Sequence, residues 1–408
     1  MKLLIFSPYF PPHVGGLEGY VSDLNEVLLA SGMVERITVL APRLPPEAAA
    51  VEDRGGGYRI VRYPALELIP NFPVPKLWRR ELWRALRSSR PAEHDVLVSH
   101  TRFFLSSAFA LLCARAASRP LLHVEHGSDY VQLSNRAAGA VARIYDHTLG
   151  RLLLRHADGV VAVSQAAAAF VRRLAGRDAV VIHRGMWMER LDATGADEHV
   201  LAWARGRLLV TFVGRLIDGK GVSDLLQAFA AVEGVQAVTC IVGDGPRRSE
   251  LELLAERLEI SDRVLFLGYL PEGRAWSVIR ASDVVVNPSY TEGLPTSVLE
   301  AALMGKAVLA TDVGGTREIV TDGRGGLLFA ARDVDGLRVR LARLLGDAEL
   351  RERLGRTARV EAANRFNWQS SAERFMEAAR GLASGRDRRA DQAPEIGDAA
   401  STSSNTAS

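Results

Sequence analysis

Apolar runs alternate along this chain with longer stretches in which apolar residues recur at helical spacing. Segments 1–8, 37–40, 58–63, 96–99, 121–125, 160–163 and 180–183 read as strands. Most are continuous apolar runs rather than alternating ones, as in a parallel sheet covered on both faces. Helical periodicity lies between them: Tyr20, Leu24, Val27 and Leu28 share one face, and 140–155 and 165–174 repeat the pattern. The polar, irregular stretch 186–207 breaks the rhythm. From Leu208 it restarts, with strands expected at 208–213, 238–242, 264–269, 284–287 and 307–310. Helices are expected at 222–232, 334–345, 348–363 and from Asn367 to about Leu382. The fold class is therefore α/β with two Rossmann-like β/α/β domains, at 1–184 and 207–365, joined by a linker at 185–206. A further helix at 366–383 and a polar tail at 384–408, expected to be disordered, complete the chain.

A length of 408 residues with 48% hydrophobic content suits two or three cored domains rather than a disordered chain. The two cysteines, Cys113 and Cys240, fall in different domains, which argues for a reducing, cytoplasmic setting without disulfides or a cysteine-built zinc site. Residues 2–6 are too short for a signal-peptide core and run into Pro8, Pro11 and Pro12. The longest apolar run, 103–114, falls short of the ~20 residues that span a bilayer. Net charge is +3, unevenly placed: residues 1–190 carry 24 Lys+Arg against 17 Asp+Glu, or +7, and leave −4 for the rest. A basic amino-terminal half points to an anionic partner. Nucleic acid is discounted because no binding module or interleaved aromatics accompany the basic residues. A helix expected over 75–90 places Leu77, Trp78, Leu82, Ala85 and Leu86 on one side and Lys76, Arg80, Arg84 and Arg87 on another. Such a helix suits the surface of an anionic membrane, or is simply a solvated outer helix.

Candidate chemistry concentrates at 289–300, Ser-Tyr-Thr-Glu-Gly-Leu-Pro-Thr-Ser-Val-Leu-Glu. Glu292 falls in the loop at a strand's carboxyl end. Pro295 suits the first turn of a helix carrying Val298, Leu299, Ala302 and Leu303, and Glu300 falls in its second turn. Ligands of open α/β sheets bind at that edge, and the N–H groups of Leu294, Thr296 and Ser297 make the helix start an anion site. Carboxylates repel phosphate and seek hydroxyl donors. A ligand with phosphates beside hydroxyl-rich rings is a sugar nucleotide. Arg215 and Lys220, at the end of the strand 208–213, offer a fork of donors and a mobile point charge, a suitable pair for a leaving diphosphate unless they are only surface charge.

The run E-G-L-P-T-S-V-L-E-A resembles the E-x7-E signature of the retaining glycosyltransferases of family 4. Gly15-Gly16, Gly214-Arg215-Leu216 with Lys220-Gly221, Val242-Gly243-Asp244-Gly245-Pro246 and Thr311-Asp312-Val313-Gly314-Gly315 resemble that family in its order. A lone E-x7-E is common on helices, so the ordered set carries the resemblance, which spans all but the tail. It implies the GT-B fold: two Rossmann-like domains across a cleft, the second binding a nucleotide sugar, and a last helix crossing back to the first. It implies that Glu292 holds hydroxyls of the donor sugar, Glu300 those of the ribose, and His126 a sugar hydroxyl near the reaction centre. Gly16 would meet the diphosphate, with Asp244, Leu294, Pro295 and Thr296 also on the donor and the end of the strand at 264–269 near the base. Transfer of a hexose from a UDP- or GDP-sugar would proceed with retention, by same-face attack of the acceptor, with no metal or other cofactor. The expected acceptor is a glycan or glycolipid in cell-envelope or exported glycan synthesis.

Other readings stay open at this stage. Gly15-Gly16 also suits an ordinary turn, His126 a buried core histidine, and Asp244-Gly245-Pro246 a helix cap. The chain could be a catalytically silent nucleotide-sugar-binding subunit, or it could act on a soluble acceptor. Strand alternation aims His123 and Glu125 away from His126, which disfavours one metal held by all three. A metal-clamping Asp-x-Asp has one candidate, Asp333-Val334-Asp335, which reads better as a helix cap.

Overall fold

The computed structural model describes residues 1–13, 15–69, 72–130 and 136–390. Two sheets organise it. The first runs in the order Val180–Val181, Gly159–Ala162, Leu121–Glu125, Val96–His100, Lys2–Phe6, Arg36–Pro42, Tyr58–Tyr63, Val51–Asp53. Only Val51–Asp53 is antiparallel. The second is parallel throughout, in the order Val264–Gly268, Ala237–Val242, Leu208–Val213, Val284–Asn287, Ala307–Thr311, Leu327–Phe329.

Parallel neighbours require helical crossovers, and these cover both faces of each sheet. That is why the strands are apolar runs. Leu3 and Ile5 pack with Tyr20 and Leu24 on one face, while Leu4 and Phe6 pack with Leu97 and Phe170 on the other. Val284 and Val286 likewise face one core and Val285 another, with Val298 and Leu299.

The chain passes between the domains twice, side by side. The Met186 N–H donates to the Phe366 carbonyl at 3.2 Å, and Met186 pairs with Asn367. Only glycine fits at 185, where a Cβ would stand 2.3 Å from the Trp368 backbone. Helix Trp368–Ala390 then returns to the amino-terminal domain and adds Trp368, Ala372, Phe375 and Met376 to its core. This is the GT-B arrangement.

Several elements differ from the sequence expectation. The helix expected over 75–90 is Arg80–Ser89 only. Before it, Ala65–Ile69 and Phe72–Pro75 pair as a hairpin, and the Lys76 N–H donates to the Pro64 carbonyl at 3.0 Å. Leu77 and Trp78 therefore share no helical face with Leu82; they are 57% and 69% exposed, while Leu82 is buried. The helix expected at 140–155 contains a π-turn, Asp146–Gly150, that brings Asp146 onto the buried Arg102 at 3.0 Å. The linker is not irregular: Met188–Asp192 and Glu198–Ala204 are short helices that bury Leu191 and Val200. Helix continues through 384–390, residues expected in a disordered tail, and 391–408 lie outside the described residues. Pro295 stands at the N-cap of helix Thr296–Leu303 rather than inside it, and its carbonyl accepts from the Leu299 N–H at 3.1 Å. Among the described residues no helix is long and apolar enough to cross a membrane.

Candidate active site

A cavity of about 830 Å³ opens between the carboxyl edges of the two sheets. It is lined by all of the residues singled out from sequence: Gly16, His126, Arg215, Lys220, Asp244, Glu292, Leu294, Pro295, Thr296 and Glu300. Two helix starts meet at its wall, those of Gly16–Ala30 and Thr296–Leu303. A Cβ on Gly16 would stand 3.4 Å from Thr296 Oγ1. At neither start does the N-cap residue supply a side-chain hydrogen bond, which leaves N–H groups suited to an anion, while at the first the buried Glu18 carboxylate folds back over Gly15 and pairs with His13.

Lys220 lies in the short 3₁₀ turn Asp218–Lys220 after the strand Leu208–Val213, and its Nζ meets Glu292 Oε1 at 2.6 Å. The backbone of the Glu292 loop touches the other domain. Ser128 Oγ donates to the Glu292 carbonyl, and a Cβ on Gly293 would stand 1.8 Å from the His126 carbonyl. Arg215 is exposed on the same rim. Asp244 accepts from the Gly245 N–H at 2.7 Å and lies 3.6 Å from Arg248, so it orders its own turn at the cavity edge.

Glu300 is buried deep in the cleft. The Trp276 Nε1–H donates to its Oε1 at 3.0 Å, yet burial pushes its carboxyl up to about 7. Hydroxyl donors that reach it would favour its ionised form. His126 sits at the end of strand Leu121–Glu125, 4.9 Å edge-on from the Tyr20 ring, with Nε2 3.1 Å from His100 Nδ1. Burial pushes its imidazole down to about 3, the Glu125 charge opposing, so it is a neutral hydrogen-bonding group at ordinary pH.

His123 and Glu125 point the other way. His123 bonds Ser99 Oγ at 2.9 Å, and Glu125 pairs with Arg102 at 3.0 Å. Burial works against the Glu125 charge, but Arg102, His123 and the Gly127 N–H together hold its carboxyl at about 2. Asp333 caps helix Val334–Gly346 through the Gly336 N–H at 2.8 Å.

Sequence reasoning missed Arg184. Its guanidinium reaches Thr296 Oγ1 at 3.1 Å and Asp23 at 3.2 Å, joining the start of helix Thr296–Leu303 to a point two turns into helix Gly16–Ala30. It follows the strand Val180–Val181 closely, the positional signal that marked Arg215. Tyr20, Trp276 and Glu272 were also missed, because helix-borne residues reach the cleft only through tertiary packing. The Glu318 carboxylate completes the domain contact by accepting from the Gln165 and Ala166 N–H groups and meeting His183 Nε2 at 2.7 Å.

Two facing parallel α/β sheets, a cleft at their carboxyl edges and a returning carboxyl-terminal helix define a GT-B protein. Residues 14–190 match the family model Glycosyltransferase Family 4, and residues 196–361 match Glycosyl transferases group 1. An uncharacterized glycosyltransferase of Methanocaldococcus jannaschii is 30% identical over 383 residues, covering 92% of this chain and 97% of that one. The D-inositol 3-phosphate glycosyltransferase of Nocardia farcinica is 31% identical over 312 residues, 73% of this chain and 68% of that one. The chain therefore belongs to the family 4-like, group 1 glycosyltransferases. Sucrose-phosphate synthase from Thermosynechococcus elongatus shares the fold with a TM-score of 0.77 at 23% identity, covering 94% of this chain and 99% of that one. Anabaena HepE in complex with UDP-glucose shares it with a TM-score of 0.71 at 20% identity, covering 94% and 100%.

Proposed function

We propose that this chain is a metal-independent, retaining hexosyltransferase that moves a sugar from a UDP- or GDP-sugar to an acceptor hydroxyl in cell-envelope or exported glycan synthesis, at the cytoplasmic face of a membrane. The observation that carries it is the pair of helix starts that meet beside Arg215 and Lys220. That constellation suits a diphosphate. The Glu300 carboxylate takes the ribose hydroxyls, Tyr269, exposed in the same cavity, offers a stacking face for the base, and Glu292 and His126 take hydroxyls of the sugar. Solved complexes of HepE with UDP and UDP-glucose make uridine the first base to test.

In the transfer, the bond between the anomeric carbon and the β-phosphate oxygen breaks, and its electron pair stays on the phosphate. Arg215, Lys220 and the Gly16 and Thr296 helix starts stabilise that growing charge. The acceptor oxygen bonds the anomeric carbon on the face the phosphate leaves, and its proton passes to the departing phosphate oxygen. Before the donor arrives, the Lys220–Glu292 pair holds both side chains at the cavity wall. The test is incubation with UDP- and GDP-sugars and a lipid or glycan extract in the presence of chelator. Nucleotide release that requires an acceptor and yields the donor's anomeric configuration is expected. Release that stops in chelator and returns with manganese overturns metal independence, and binding without turnover makes the chain a silent subunit.

A further inference from the structure

We propose that the amino-terminal domain docks on an anionic phospholipid bilayer through an outer face built on three helical segments, and that an aromatic seam leads an amphiphilic acceptor from that face to the cleft. The second part rests on the glycosyltransferase function proposed above.

The face is centred on residues 136–156 rather than on the basic helix at 80–89. Successive turns of this segment expose Val141 (67%), Ile144 (64%), Leu149 (40%) and Leu152 (49%). The next helix continues the row. Arg115, on helix Leu105–Ala116, donates to the His156 carbonyl at 2.7 Å, which ties the helix that carries Leu112 to the one that carries Leu152. Leu112 is exposed, and one turn earlier Phe109 meets the Trp83 ring edge-on at 6.4 Å. Trp83 is exposed and donates to the Leu77 carbonyl at 3.0 Å, which brings the exposed Leu77 and Trp78 to the same edge. Exposed large apolar residues elsewhere, such as Leu253, Val339 and Val360, lie on separate helices of the other domain. A continuous row of this length on one domain marks a contact surface.

Its charge selects the partner. The segments 80–89, 105–116 and 136–156 contain eight arginines and two acids. One acid, Asp146, is buried against Arg102; the other, Glu81, lies beside Arg79. Apolar and tryptophan side chains bordered by arginine fit the interfacial zone of an anionic leaflet, where the rings reach headgroup depth and the guanidinium groups meet phosphate.

The seam begins on the same segment. Tyr145, next to Ile144, lies 5.4 Å edge-on from Phe103, and Phe103 lies 6.1 Å from Phe104. Phe104 meets Tyr9 at 5.9 Å, and Tyr9 stacks at 4.1 Å on His13, which lines the cleft. Tyr9 is buried beneath the seam, so an apolar chain would run over the half-buried Phe103 and Phe104 toward His13 at the cavity edge.

The test is flotation of purified protein with phosphatidylcholine–phosphatidylglycerol vesicles and with pure phosphatidylcholine vesicles. Wild type should float with the anionic vesicles and lose most of that binding in ~0.5 M salt. The double variant Ile144→Glu/Leu152→Glu should bind about tenfold more weakly, as should Arg80→Glu/Arg84→Glu/Arg87→Glu. A surface control on the other domain, Leu253→Glu, should float as wild type does. Each variant should keep the thermal shift given by UDP or GDP, which separates this surface from the donor site. Loss of that shift in wild type, with flotation intact, would count against the nucleotide-sugar function and leave the bilayer surface standing. Three results overturn docking: wild type remaining unbound at low salt, Ile144→Glu/Leu152→Glu floating undiminished, or that variant turning a wild-type dimer into a monomer by light scattering. If the vesicle contacts hold but Phe103→Ala/Phe104→Ala transfers sugar to a lipid acceptor as fast as wild type, the seam is not the path.

Discussion

The two walls of the cleft are made by the same device, a parallel sheet whose carboxyl edge feeds helix starts, yet they carry different chemistry. The carboxyl-terminal wall is ionic: Arg215, Lys220, Asp244, Glu292 and Glu300 stand within one sheet edge. The amino-terminal wall is aromatic and, apart from Arg184 with its partner Asp23, largely neutral, with Tyr20, His126 and the Tyr9–His13 stack around the glycine turn. An ionic wall pays the desolvation of its charges for a fixed electrostatic environment, which suits a ligand with a diphosphate and many hydroxyls. Rings and a neutral imidazole suit sugar faces and an acceptor, where hydrogen bonds and shape matter more than charge. Free-nucleotide affinity should therefore depend on the ionic wall and the Gly16 helix start, and turnover on the rings and imidazole as well.

The largest expected effect comes from the ionic wall. Lys220→Ala and Glu292→Gln should each lower kcat/KM by about 10²–10³-fold with little change in thermal midpoint, since both side chains line the cleft rather than a core. Wild-type-like turnover in either purified variant breaks the assignment.

Glu300 gives the wall a pH signature. Its folded pKa is raised from 4.5 to about 7 by burial, so between those values the folded protein holds a proton that the unfolded chain releases. Glu300 then makes stability fall as pH rises through that window, by up to about 3 kcal/mol, and Glu300→Gln removes that share of the slope, leaving the contribution of Asp23 and Glu272, whose carboxyls burial also raises. Nucleotide affinity runs the opposite way and strengthens as Glu300 ionises. Denaturant melts of both proteins between pH 4.5 and 7 measure the first slope, and a nucleotide titration measures the second.

On the neutral wall, His126→Ala should cost about tenfold in kcat while leaving free-nucleotide affinity as in wild type. A parallel loss of nucleotide affinity would place His126 on the nucleotide rather than on the sugar. The smallest effect sharpens the contrast from outside the cleft. Asp333→Ala should destabilise the protein by about 1 kcal/mol through loss of its cap and leave chelator-resistant activity unchanged.

Much of the ionic wall was legible in sequence because its residues follow buried strands directly. A parallel strand covered on both faces is an apolar run such as Leu208–Val213, and whatever charged residue ends that run stands at the sheet edge. Arg215, Lys220 and Glu292 all announce themselves in that way. The neutral wall was less legible. Tyr20 and Trp276 are helix residues whose apolar spacing looks like core, and only packing turns them toward His126 and Glu300. The segment at 75–90 misled because its helical periodicity extends over the end of a hairpin strand and a turn; Pro73 and Pro75, which lack an N–H, suit the strand Phe72–Pro75, and the turn at 76–79 delays the helix to Arg80. The π-turn at Asp146–Gly150 had no local signal. It depends on Arg102, 44 residues away, taking the Asp146 carboxylate into the core.

The most direct test of the two-wall division is a calorimetric titration of UDP and GDP, in chelator, into wild type, Lys220→Ala and His126→Ala. Wild type should bind one of the two nucleotides without metal, Lys220→Ala should lose at least about tenfold in affinity, and His126→Ala should match wild type. Undiminished binding by Lys220→Ala, or binding by wild type only when a divalent metal is restored, would contradict it.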